Sequence, residues 1–397
     1  MHSQGTIHLI AFDIPYPADY GGVQAVFYHL QALKAKGVKV ILHCFEYNGR
    51  VQQAILEDYC INVYYYPRRI SIFDQLYFRP FIVQSRRDKR LLLHLLQDDY
   101  PIIFEGLHTT AWIAHPALAT RPKTVRMHNV EWHYYKAAAA ATSLNFNGSF
   151  LSFLKKSIEK TYFFVESIKL YYYEKKILPH IQLLLTLSKG DERYYKNHVD
   201  TKKCRVERAL FHPYTTVNSL LGRGEYLLFH GKLSVEDNAQ SALFLVKTVF
   251  SKQSMPCIIA GSNPSEALRL LVANYPNIHI ESNPSDEKMQ DLIKNAHAHV
   301  LWSFQSAGIK FKLLHSLFNG RFVLANDFMA ADTGLDELCL IANTASDLLQ
   351  IIEQIRTKAV DETLLLQRKK VIENDFSISK NIEYLKSSTL LLESPPS

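Results

Sequence analysis

No stretch of this 397-residue chain approaches the run of roughly 20 apolar residues that a bilayer-spanning helix needs, so no membrane-spanning segment is expected. The five cysteines, Cys44, Cys60, Cys204, Cys257 and Cys339, are odd in number, widely spaced and never arranged as CxxC. That argues against a disulfide framework or a zinc ribbon and suits a reducing, cytoplasmic setting. The opening MHSQGTIHLIAFDIP has no basic region, no long apolar segment and no small-residue cleavage site, so a signal peptide is not expected. There is no G-x-G-x-x-G dinucleotide fingerprint and no acidic cluster suited to Mg²⁺. The 22 tyrosines and 22 phenylalanines do not fall in an RNA-binding consensus, so nucleic acid is not an expected partner.

What is present is the composition of a globular protein, 47% hydrophobic and 21% charged, with a formal net charge of +7. The length predicts two domains, each able to bury a substantial core. The mild positive charge favours an anionic partner, a nucleotide diphosphate or an anionic lipid surface.

The chain opens with a strand at 6–12, a Pro-, Asp- and Gly-bearing turn at 13–22, and a helix with Val26, Leu30 and Leu33 on one face. Gly37 ends that helix and 38–45 is the next strand. This is a βαβ unit, hence a parallel sheet. Strand-like runs at 63–66, 102–104, 124–127 and 181–188 continue the alternation, and a second βα series has strands at 226–229, 257–260, 278–281, 299–302 and 322–325. The fold class is therefore α/β, with doubly wound domains at 1–212 and 213–371.

Each chemically interesting residue lies where a strand ends and a helix begins, the ligand-binding end of such sheets. Gly21 and Gly22 would let backbone N–H groups approach a phosphate at a helix N-terminus; a plain glycine-rich turn explains them equally well. His128, in VRMHNVEWHYY, could donate to a substrate hydroxyl or carbonyl, or be a histidine satisfied by local backbone. His108 shares that ambiguity, and the spacing of His128 and His133 does not suit a metal pair. Lys232, in FHGKLSVEDN, could neutralise a departing diphosphate or be an exposed lysine on a turn. Lys310 and Lys312 sit at the start of a helix ending near Gly320, where their charge opposes the helix dipole and an anion would explain them. Residues 151–176 carry six lysines against three glutamates, interleaved with Phe, Leu, Ile and Tyr. With Arg86, Arg87, Lys89 and Arg90 they could contact an anionic membrane peripherally; the plainer reading is an amphipathic helix packed on the first domain.

Together, PYPADYGGVQAVFYHLQALKAKGVKV, LFHGKLSVEDN and SAGIKFKLLHSLFNG followed by FVLAND resemble the retaining GT-B glycosyltransferases, specifically glycosyltransferase family 4. The resemblance implies two Rossmann-like domains facing a central cleft, with residues 372–391 forming a helix that crosses back to the first. It assigns Gly21 and Gly22 to the N-terminal donor loop, His128 to an acceptor-side histidine and Lys232 to a diphosphate-binding position. Gly308, Ile309, Lys310 and Lys312 match a G-x-K-x-K form of the donor motif. The lysine expected before Asn238 is Asp237, and the two donor-gripping glutamates are replaced by Ala307 and His315.

The expectation is a metal-independent, retaining hexosyltransferase. It uses a nucleotide-diphosphate sugar as substrate rather than a cofactor and a glycan or lipid-linked acceptor, in surface polysaccharide assembly. A nucleotide-sugar binding protein without catalysis and a GT-B epimerase are the rivals.

Overall fold

The computed structural model describes residues 5–47, 49–141, 150–200, 202–214, 216–305 and 310–383. The chain divides into two compact units, one running to His212 and resuming at Ile378, the other spanning Pro213–Ser377.

The first unit is built on seven parallel strands, β1 (Thr6–Ala11), β2 (Lys39–Glu46), β3 (Asn62–Pro67), β4 (Ile102–Glu105), β5 (Lys123–Met127), β6 (Leu183–Thr186) and β7 (Arg205–Arg208), in the order β3-β2-β1-β4-β5-β6-β7. The second has β8 (Leu227–His230), β9 (Cys257–Gly261), β10 (Ile278–Ser282), β11 (Ala298–Leu301), β12 (Phe322–Ala325) and β13 (Leu340–Ile341), ordered β10-β9-β8-β11-β12-β13. Central strands such as β6, LLLT, and β8, LLFH, are buried throughout, because helices cover both faces of a parallel sheet and leave no polar side.

Helix Gly21–Ala35 packs Val26, Leu30 and Leu33 against β1 and β2, as its apolar spacing dictates. The alanines 137–141 extend helix Glu131–Ala141. Residues 372–391 do not form one helix. Helix Glu362–Asp375 ends there, Phe376 and Ser377 interrupt, and a short helix, Ile378–Asn381, follows; residues beyond 383 lie outside the described set. Asn381 donates its side-chain amide to Leu210 O, and Ile382 joins the first unit's core. Among the described residues, no helix is long and apolar enough to cross a membrane.

A directed chain of hydrogen bonds crosses β1, β2 and β3. Asp98 accepts from His8 Nε2 at 2.9 Å, which leaves His8 Nδ1 to accept from His43 Nε2 at 2.8 Å. His43 Nδ1 then accepts from the Tyr66 hydroxyl, and that oxygen accepts from His94 Nδ1. His8 and His43 must be neutral for the chain to close, because each accepts through one ring nitrogen, and burial holds the pKa values of all three imidazoles below 6.5. Below pH 6.5 the unfolded chain therefore binds protons that the folded one refuses, so stability present above that pH is lost as pH falls. The expected slope is up to about 1.4 kcal/mol per pH unit for each imidazole kept neutral. Urea midpoints at falling pH should drop for the wild type and drop less steeply for His43→Leu; identical slopes would remove the chain from the account.

Candidate functional site

In the first unit, functional side chains gather at the C-terminal ends of β4 and β5. Glu105 and Arg126 are register partners on these strands, so their side chains share one face. Both are fully buried and pair at 3.0 Å. Glu105 also accepts from His29 Nδ1 at 2.6 Å and from His128 Nε2 at 2.7 Å. Burial alone would raise the Glu105 pKa, but the Arg126 charge and the two histidine bonds hold it well below the usual carboxylate range. The carboxylate thus fixes the His128 tautomer, Nε2 carrying the proton. Burial keeps the ring neutral, and Nδ1 becomes a hydrogen-bond acceptor. His128 is therefore neither a histidine satisfied by backbone nor a ready donor; it offers a lone pair.

Beside it, Phe12 packs against both His128 and His108 at ring-centroid distances of 5.2 Å. Among the described residues, four buried polar atoms of this cluster find no partner: Arg126 Nη2, His128 Nδ1, His108 Nδ1 and Glu131 Oε1. The last two are 4.0 Å apart. A hydroxyl oxygen about 2.8 Å from each would donate to one and accept from the other. Burial pushes the Glu131 carboxyl up to about 8, opposed by a bond from Asn129. Arg86, also buried, donates from Nε to Phe12 O at 2.7 Å and clasps the end of β1. Such a group of unsatisfied atoms and neutral rings suits polyhydroxylated ligands.

Gly21 and Gly22 form the first residues of helix Gly21–Ala35, behind Tyr20, whose hydroxyl turns to Asp13 at 2.6 Å. The loop before them is pinned by Arg50, which donates to Ile14 O at 3.0 Å and pairs with Asp19 at 2.7 Å. Gly22 has a packing reason as well: a Cβ there would lie 2.9 Å from the Phe12 ring.

In the second unit, Lys232 follows β8 directly. The Gly231–Leu233 segment continues alongside β9, with Gly231 N donating to Ala260 O and Leu233 N to Ser262 O. The approach is so close that a Cβ on Gly261 would sit 1.8 Å from Gly231 O. Asn238 joins two of the expected cations, since its Nδ2 donates to Lys232 O at 3.0 Å while its Oδ1 accepts from Lys312 Nζ at 2.8 Å. Lys310 occupies the cap position of helix Phe311–Asn319 and donates to Gln305 O at 3.0 Å. Burial pushes both ammonium groups down to about 8, with Asp237 pulling the other way.

Asp237 does more than remove a positive charge. Its carboxylate accepts from Phe304 N and from Ser303 Oγ, both at 2.8 Å, and so holds the end of the β11 loop against helix Glu236–Thr248. His315 is engaged by the Tyr214 hydroxyl. Ala307, Gly308 and Ile309 lie outside the described residues.

The structure thus joins Lys232, Lys310 and Lys312 around Asn238 and Asp237, and separately joins His128, His108 and Glu131. Glu105, His29, Arg126 and the anchoring role of Asp237 escaped the sequence reading, and Arg86, expected on a surface that meets a membrane, is buried instead with its guanidinium on Phe12 O and Ile82 O. The available signal was a charge inside an apolar strand run, Glu105 closing IIFE and Arg126 within TVRM, because a parallel strand buried on both faces hosts a charge only where a partner meets it.

No family model matches the chain. Among curated proteins it is similar to an uncharacterised 44.6 kDa protein in the cps region of Klebsiella pneumoniae, 27% identical over 361 residues that cover 85% of this chain and 87% of that one. Among solved structures, a glycosyltransferase from Rickettsia africae matches with a TM-score of 0.62 at 15% identity, over 99% of this chain and 100% of its own. Sucrose-phosphate synthase from Thermosynechococcus elongatus matches with a TM-score of 0.65 at 14% identity, over 97% and 98%. At these identities the likeness is one of fold: the chain has the α/β GT-B fold of glycosyltransferases, with its two parallel sheets.

Proposed function

We propose that this chain is a metal-independent hexosyltransferase, moving a sugar from a nucleotide-diphosphate donor to a glycan or lipid-linked acceptor with retention of configuration. The observation that carries the reading is the lysine pair at the start of helix Phe311–Asn319. Two half-buried cations there oppose the helix dipole, and a bound anion offsets that cost.

As the bond from the sugar C1 to the diphosphate breaks, negative charge collects on the departing oxygens. Lys232, Lys310, Lys312 and the helix N–H groups stabilise it. The acceptor oxygen bonds to C1, and its proton passes to the leaving phosphate, so no protein nucleophile is needed. Within the first unit, His128 Nδ1 accepts a hydrogen bond from a hydroxyl, and the backbone N–H groups of Gly21 and Gly22 are suited to a phosphate. A relative from a cps region agrees with an acceptor in surface polysaccharide assembly.

A second reading, a nucleotide-sugar binding protein without turnover, is favoured by Ala307 and His315 standing where the resembling family has glutamates. A panel of UDP-, GDP- and other nucleotide sugars separates the two by thermal shift and by nucleotide release. One donor is expected to raise the melting temperature and to be slowly hydrolysed, with Lys232→Ala lowering release about tenfold. Stabilisation without release would support the binder, and silence across the panel would remove both.

A further inference from the structure

We infer that the first unit docks on an anionic bilayer through residues 68–90 and helix Phe150–Ile177. These two segments carry thirteen Lys and Arg against five Asp and Glu, a surplus of eight in a chain whose total is +7, so the remaining residues are close to neutral. They also hold 11 of the 25 large apolar side chains exposed among the described residues, although they are only 51 residues long. Charge and apolar surface concentrated in one place are the two terms of peripheral membrane binding.

The segments are adjacent. Lys169 Nζ donates to Gln75 O at 2.6 Å, and Phe81 N donates to Glu166 Oε2 at 2.7 Å. Where they meet, Leu76, Ile158, Tyr162 and Val165 line an open groove of about 420 Å³. Helix Phe150–Ile177 has two faces. Glu166, Leu170, Glu174 and Ile177 are buried, as the plainer sequence reading expects, while Leu154, Ile158, Val165, Ile168 and Tyr172 are exposed on a stripe with spacings of three, four and seven residues. Leu76, 80% exposed, lines that groove with Ile158 and Val165, Phe78, 99% exposed, follows two residues later, and Lys155, Lys156, Arg69 and Arg87 are exposed within the same two segments.

The sign of the charge selects the occupant. Two copies of so basic a face repel one another, whereas an anionic lipid surface attracts it while its apolar side chains enter the acyl boundary. The docking is independent of the transfer chemistry proposed above.

Flotation of the full chain with vesicles tests it. Binding is expected to phosphatidylcholine vesicles containing phosphatidylglycerol, at low salt, and not to phosphatidylcholine alone. Lys155→Glu with Lys156→Glu, and separately Leu76→Asp with Phe78→Asp, should each weaken binding about tenfold or more, while Lys202→Glu with Lys203→Glu leaves it unchanged. These side chains are exposed, so unchanged melting curves are expected to accompany the losses. Absence of flotation, equal binding to neutral vesicles, or an equal loss in the Lys202/Lys203 control overturns the inference. So does a dimer in sedimentation that Leu76→Asp with Phe78→Asp abolishes without any vesicle binding by the wild type. Nucleotide release measured on the same preparations keeps this outcome apart from the fate of the proposed activity.

Discussion

Glu105→Ala is expected to cost about 3–5 kcal/mol of folding stability, enough to unfold a marginal protein near physiological temperature. The carboxylate is fully buried and serves three partners, His29, His128 and Arg126. Removing it strands the Arg126 guanidinium in the core with carbonyl partners, Ala25 O at 3.1 Å and Ala209 O at 3.2 Å, and the Phe211 ring 5.2 Å away. None of these carries the opposite charge. Lost packing and stranded charge are separable: Glu105→Leu together with Arg126→Met removes both ions and should recover most of the loss, because a buried pair replaced by apolar groups of similar volume is often neutral. Denaturant midpoints of the two single variants and the double variant decide it. If the double variant is as unstable as the sum of the singles, the ion pair is not the cause.

Lys312→Ala is expected to lower turnover about 10²–10³-fold, comparable to removing one group that stabilises transition-state charge elsewhere. Its ammonium is held by Asn238, stacks 5.3 Å from the Phe229 ring and gains little from the first turn of its own helix, so its placement is set before any donor arrives. Because burial puts Lys312 and Lys310 at about 8, the cations needed to meet a diphosphate begin to disappear above that pH. The proposed activity should therefore show kcat/KM falling as pH rises through about 8, and Lys312→Arg, which keeps its proton, should flatten the fall even where it lowers the plateau. A pH profile that is flat to pH 9 in the wild type would detach the pair from the chemistry.

The central strands were legible because burial on both faces leaves apolar runs, and nearly every such run in the sequence became a strand within two or three residues of its expected ends. The edges were not. β7 reads RVER and β13 is two residues long, since an edge strand is half solvated and needs no apolar run to form. The same asymmetry governs the site. Lys232, Lys310 and Lys312 were visible because strand-to-helix junctions mark where ligands bind, but Asn238, which joins them, looked like an ordinary helix residue. His128 was visible by position and misjudged in direction. Its proton is committed to Glu105, 23 residues earlier in the chain, and only pairing of β4 with β5 brings the two together. The interrupted helix after Asp375 depends on packing of Phe376 and Ile382, which no local propensity encodes.

Asp237, Lys310 and Lys312 also balance one another's charge. Directly before Asn238 this chain carries an acid, and two lysines stand across from it at the start of another helix. A lysine at 237 would face two like charges, crowding three cations into one place, and would release Ser303 and Phe304 from their anchor. The three positions are therefore coupled, and a change of charge at one of them is expected to be tolerated only with a matching change at another.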